Sequence, residues 1–173
     1  KIKGASKIIA VDVWDEKLEM AKKNGADVLV NSKEKDPVQA VMDATEGEGA
    51  DVVIDFSGAP VCQKASILSA SKLGRVVFLG ISHAGLELSE KEVDQLMRRQ
   101  ISLKGSWNSF TSPFPGSYWT GSVDLYENYG MTAKDIISHR LSLDEAPGIF
   151  KKIAEGGFFF SKIMFFPNGQ EEK

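Results

Sequence analysis

The chain has 173 residues, is 42% hydrophobic and 26% charged, and carries a net charge of -3, which fits one globular domain or one with part of another. Its Lys and Arg are scattered rather than gathered in a basic stripe, which argues against a nucleic-acid groove, and no apolar run reaches the roughly 20 residues of a membrane span. A single cysteine, Cys62, cannot pair internally, and the start shows no leader pattern, so the expected compartment is the reducing cytoplasm.

The opening KIKGAS reads as a helix end, with Gly4 as C-cap and Lys1 and Lys3 in the last turn, so the chain is expected to begin inside a fold. Lys7 to Val13 is a continuous apolar run suited to a strand covered on both faces. Asp15 is placed to cap a helix from Glu16 to Lys23, which stops at Asn24-Gly25. Asp27 to Val30 predicts a short strand, and Asp36-Pro37 opens a helix to Ala44. Ala50 to Phe56 predicts a strand, Ser57 to Pro60 a turn, and a helix runs on to Ser71. Gly74 to Ile81 completes the alternation as another strand.

Strand, helix, strand in repetition predicts a parallel, doubly wound α/β sheet with right-handed crossovers. Beyond it, Glu90 to Arg99 predicts a helix, Ile101 to Trp107 a strand, Ser109 to Gly116 a loop and Ser117 to Asn128 a helix. His139 to Leu143 then reads as a strand, Leu143 to Gly156 as an amphipathic helix and Ser161 to Phe166 as a last strand. The organisation expected is residues 1–135 as a dinucleotide-binding domain without its amino-terminal part, 136–167 as a return segment, and 168–173 as a polar tail.

Asp12 ends the first predicted strand. An acid there can accept hydrogen bonds from an adenosine ribose and repel the extra phosphate of NADP; the plainer alternative is a turn residue leading into the next helix. Gly58 and Gly80 end two further strands, on the rim where open α/β sheets bind ligands. Either glycine alone is more simply a turn requirement; two in register with Asp12 suggest a shared cofactor. The G-x-G-x-x-G loop that would hold a pyrophosphate is absent from the sequence. It belongs after a central first strand, without which the flanking strands would stand about 9.6 Å apart, twice the usual spacing. That strand is therefore expected in the native protein. Cys62, His83 and His139 show no metal-ligand spacing, and two histidines do not support a Ser-His-Asp arrangement.

KGASKIIAVDVWDEKLEMAKKNGADVLVNS, GADVVIDFSGAP and LGRVVFLGI resemble the cofactor domain of the medium-chain, zinc-dependent alcohol dehydrogenase family. The likeness runs from Lys1 to Pro167, and LKGSWNSFTSPFPGSYW resembles polyol and polyol-phosphate dehydrogenases of the galactitol-1-phosphate type. The resemblance implies a Rossmann-like domain of an NAD-dependent oxidoreductase acting on a secondary alcohol of a polyol or polyol phosphate. It implies Asp12 on the ribose hydroxyls with Lys17 beside them, and Ser57 and Gly58 at the adenine side. It places Leu79, Gly80 and Ile81 along the nicotinamide, Ser106, Trp107 and Asn108 near its ring, and Lys162 near the pyrophosphate. Zinc is expected only in an amino-terminal domain that this chain lacks, so no metal residue is assigned and the chain alone is expected to be inactive. The strand Ile101 to Trp107 is expected to pair across a homodimer, or within a homotetramer. A non-catalytic nucleotide-binding or oligomerisation module is the alternative from another class. A zinc-independent, NADPH-using quinone-reductase-like enzyme is a third reading, which the charge of Asp12 disfavours.

Overall fold

The computed structural model describes residues 1–107 and 113–169, which gather into two compact units, Lys1–Leu29 with Asp124–Lys173, and Val30–Val123. The chain is α/β with parallel sheets, a Rossmann-like arrangement of alternating strands and helices.

In the first unit β1 (Ile9–Asp12) leads into α1 (Asp15–Lys23). Asp15 and Glu16 sit in the first turn of α1 and Lys22 and Lys23 in its last, matching the helix dipole at both ends, and Leu18 is the buried residue. β2 (Val28–Asn31), which straddles the boundary of the units after Leu29, pairs with β1. The later part of this unit holds β6 (Ile137–Ser142), α6 (Ala146–Glu155) and β7 (Lys162–Phe166). β6 and β7 are parallel, with His139 beside Ile163 and Leu141 beside Phe165. The Glu145 carboxylate accepts from the Ser142 backbone N–H at 2.8 Å and hydroxyl at 2.9 Å, so the chain turns from β6 into α6 around a side-chain clamp. Glu145 is consequently held below its ordinary pKa by the Ser142 backbone and hydroxyl.

The second unit begins with α2 (Pro37–Ala44) and continues through β3 (Ala50–Asp55), α3 (Pro60–Leu68), β4 (Ala70–Phe78), α4 (Glu90–Arg98) and β5 (Ser102–Gly105). α2 starts as its sequence dictates: Asp36 Oδ1 accepts from Gln39 N at 2.8 Å, and Pro37 takes the first helical position, where no N–H is needed. β3, β4 and β5 form one parallel ladder in that order. The core lies on one of its faces. Ile67 of α3 and Val76 of β4 are 0% exposed, and Val53, Phe78, Leu96 and Ile101 pack round them. Val52 and Ile54 alternate to the opposite face of β3 and remain 45% and 47% exposed. α5 (Ser117–Asn128) follows at the carboxyl end of this stretch.

Two features depart from the sequence reading. β4 begins at Ala70, not Gly74, because Ala70 already pairs with Ala50 before the register jumps to Val52 beside Arg75. The irregular stretch in between is tied down by Leu73 N donating to Arg99 O at 2.7 Å, while Arg99 Nη1 donates to the carbonyls of Leu68 at 3.1 Å and Ala70 at 3.0 Å. The hydrogen-bonded ladder is also divided, β1 with β2 and β3 with β4 and β5. β6 and β7 form a third, separate pair. Among the described residues β3 has a strand partner on one side only.

Candidate functional site

In the first unit, Asp12 closes β1. Its Oδ1 accepts from the backbone N–H groups of Val13 at 2.7 Å and Trp14 at 3.0 Å, so the carboxylate is oriented by its own turn. Asp15 is not the cap of α1. Trp14 holds that position, no side chain caps the helix, and Asp15 is its first residue. The helix begins one residue earlier than expected, which makes Asp15 a first-turn residue, while Asp12 shapes the turn ahead of the helix and places a negative charge at the strand's carboxyl end. Lys17 lies partly buried on α1. Lys162 opens β7 with an exposed side chain, and its carbonyl accepts from Ser138 Oγ at 3.3 Å.

In the second unit, the carboxyl ends of β3 and β4 are brought into backbone contact. A Cβ added to Gly58 would collide with the carbonyl of Ile81, and one added to Gly80 would collide with the backbone N of Gly58. Gly58 also has φ +72°, a conformation that side chains disfavour. The two glycines are thus required by each other: their loops touch along the main chain, an account that needs no ligand. The contact nonetheless places Ser57, Gly58, Leu79, Gly80 and Ile81 together on one rim. Ser106 follows β5 beside them, its N–H donating to Phe78 O at 3.0 Å. Trp107 is exposed, and Asn108 lies outside the described residues.

One residue at the centre of this rim is absent from the sequence-based candidates. Asp55, the last residue of β3, is only 4% exposed. Its Oδ1 accepts from Ser57 N at 3.2 Å and Ser57 Oγ at 2.8 Å, and its Oδ2 from Gly58 N at 2.9 Å. Its backbone oxygen accepts from Leu79 N at 2.9 Å and Gly80 N at 3.0 Å. The signal that would have found it is the one that singled out Asp12, an acid ending an apolar run just before a turn. On the β4 side, the buried Gln63 of α3 donates from Nε2 to Ser82 Oγ at 2.7 Å and holds the exit loop. Among the described residues no three His, Cys, Asp or Glu side chains come together as a metal-ligand set.

The zinc-binding dehydrogenase family model matches residues 1–124. Galactitol 1-phosphate 5-dehydrogenase of Escherichia coli strain K12 is 25% identical over 164 residues, which are 95% of this chain and 47% of that protein. The crystal structure of galactitol-1-phosphate dehydrogenase from Escherichia coli matches at a TM-score of 0.84, with 24% identity, over 95% of this chain and 47% of that one. L-threonine 3-dehydrogenase of Symbiobacterium thermophilum is 30% identical over 169 residues, 97% of this chain and 46% of that protein. The crystal structure of a zinc-binding dehydrogenase from Sinorhizobium meliloti 1021 bound to NADP matches at a TM-score of 0.80 with 28% identity, over 96% of this chain and 46% of that one. The chain therefore spans about half the length of the curated relatives it matches. A match over residues 1–124, together with the parallel α/β fold, establishes that the chain belongs to the zinc-binding dehydrogenase family.

Proposed function

We propose that the protein to which this chain belongs is an NAD-dependent dehydrogenase that oxidises a secondary alcohol of a polyol or polyol phosphate, and that this chain supplies cofactor recognition. Family membership supports the oxidoreductase reading, and a galactitol 1-phosphate 5-dehydrogenase among the relatives supports the substrate class. The observation that carries the choice of cofactor is Asp12, a carboxylate fixed at the carboxyl end of β1 through Oδ1. Such a group accepts from ribose hydroxyls and repels a 2′-phosphate.

Bound NAD would supply the hydride acceptor. Asp12 and Lys17 would hold the adenosine ribose, Ser57 and Gly58 the adenine side, and Leu79, Gly80 and Ile81 the nicotinamide. Ser106, Trp107 and Asn108 would approach the ring, and Lys162 would lie near the pyrophosphate. Residues 1–135 would serve the cofactor and 136–167 would return toward a catalytic domain. Any zinc would be bound there, polarising the substrate oxygen. β5, an edge strand whose four residues are all exposed, suits pairing across a homodimer, and the expected compartment is the cytoplasm. The chain by itself should give no turnover with NAD, zinc and polyols.

Calorimetry on the full-length protein tests the reading. NAD is expected to bind at least about tenfold more tightly than NADP, with Asp12→Asn narrowing the gap. A preference for NADP would remove the role given to Asp12 and favour the quinone-reductase-like alternative. A second substrate reading rests on the L-threonine 3-dehydrogenase relative. Assays with galactitol 1-phosphate and L-threonine side by side separate the two.

A further inference from the structure

We infer that Asp55 is a positioning residue that turns the Ser57 hydroxyl into a fixed hydrogen-bond acceptor for the nucleotide, an inference that rests on the cofactor reading above. A serine hydroxyl has one proton to give and two lone pairs. Here the proton goes to Asp55 Oδ1 at 2.8 Å, and one lone pair takes the Ala59 N–H at 3.1 Å. One lone pair remains, on an exposed side chain. Ser57 can therefore accept from a ligand but has no proton left to donate. Asp55 is nearly fully buried, and its second oxygen is committed to the Gly58 N–H. The carboxylate thus fixes both the direction of the hydroxyl and the backbone that carries it. The chemistry recognised is a donor group, which a nicotinamide adenine dinucleotide offers from the adenine amino group, from a ribose hydroxyl or from the nicotinamide carboxamide.

The test uses the full-length protein and calorimetric titration with NAD, with thermal melting as the control for folding. Ser57→Ala removes an exposed hydroxyl, so the fold is retained, and the Kd for NAD is expected to rise about three- to tenfold, the range of one net hydrogen bond. Asp55→Asn keeps one acceptor oxygen but turns an amide N–H toward Gly58, and should weaken NAD at least as much. Because Asp55 acts through Ser57, the double variant should bind no more weakly than Asp55→Asn alone. Nicotinamide hypoxanthine dinucleotide, which lacks the adenine amino group, separates that donor from the others. Loss of the Ser57→Ala penalty with this analogue identifies the amino group, and a retained penalty identifies a ribose hydroxyl or the carboxamide, which ADP-ribose, lacking the nicotinamide, then tells apart. A Ser57→Ala protein that binds NAD as wild type does, or single effects that multiply in the double variant, would overturn the inference and leave the cofactor reading standing. Failure of the wild-type protein to bind NAD would instead overturn that reading. If Asp55→Asn does not fold, Ser57→Ala and the analogue decide the matter.

Discussion

The β3–β4–β5 ladder and the β6–β7 pair are both parallel, yet they are stabilised differently. The first has a dry centre, with Ile67 and Val76 at 0% exposure. Among the described residues the second has one buried apolar residue, Ile149 at 7%, and otherwise relies on ring contacts at half-buried or exposed positions: Phe150 with Phe165 at 6.0 Å, His139 with Phe158 at 5.1 Å, and Arg140 over Phe166 at 5.4 Å. Aromatic pairs are individually worth about 0.5–1.5 kcal/mol beyond their area, whereas a closed core multiplies contacts around each side chain. The lesson is that strand pairing alone does not make a rigid platform. The rim with Ser57 and Gly80 stands on the part that has a core.

The comparison can be broken most forcefully at its centre. Ile67→Ala should cost about 2–5 kcal/mol and lower the melting temperature, because the cavity opens among residues that cannot relax into it. Ile149→Ala should cost less, since its surroundings are already open to water; equal losses in melting experiments would erase the distinction drawn here. Next in size is Gly80→Ala, whose Cβ would push into the backbone of Ser57 and Gly58. Overpacking of this kind costs about 1–3 kcal/mol, and proteolysis in the loops 56–59 and 79–89 should report the loosened rim. Arg99→Ala should cost about 1–3 kcal/mol by stripping the carbonyls of Leu68 and Ala70 of their shared donor, visible in denaturant titration.

The smallest effect is a shared one. Glu92 accepts from the Ser89 N–H at 2.7 Å at the start of α4, as Glu145 does from Ser142 before α6. Contacts with Ser89, and with Ser142, hold the two carboxyls below their ordinary pKa. A pKa lower in the folded state means stability present above the ordinary glutamate range and lost as pH falls through the folded value. Acid titration of Glu92→Gln and Glu145→Gln should therefore show a shallower decline than wild type, each in its own region.

Much of the architecture was legible from local chemistry. Asp36-Pro37 announces α2, the apolar run to Asp55 announces β3, and Ser117 to Asn128 matches α5 end to end. What escaped depends on partners distant in sequence. The early start of β4 follows from Ala50 and Arg99, neither of which neighbours Ala70 in the chain. The cap of α1 was misplaced by one residue because the helix already starts at Asp15, with Trp14 at the cap position. For the candidate site, the glycines were visible but their reason was not: they face each other, which no single-strand pattern reveals. Asp55 went unnoticed because a buried acid reads like any strand-end residue until the donors around it are counted.

The open side of β3 has a practical consequence. Its outer backbone groups and the half-uncovered Val52 and Ile54 offer incoming peptide both a hydrogen-bonding template and a greasy landing place. Handled alone at high concentration, the chain should recruit further copies of itself edge to edge. Light scattering that grows with concentration, and recedes when a lysine replaces Val52, would reveal that stickiness directly.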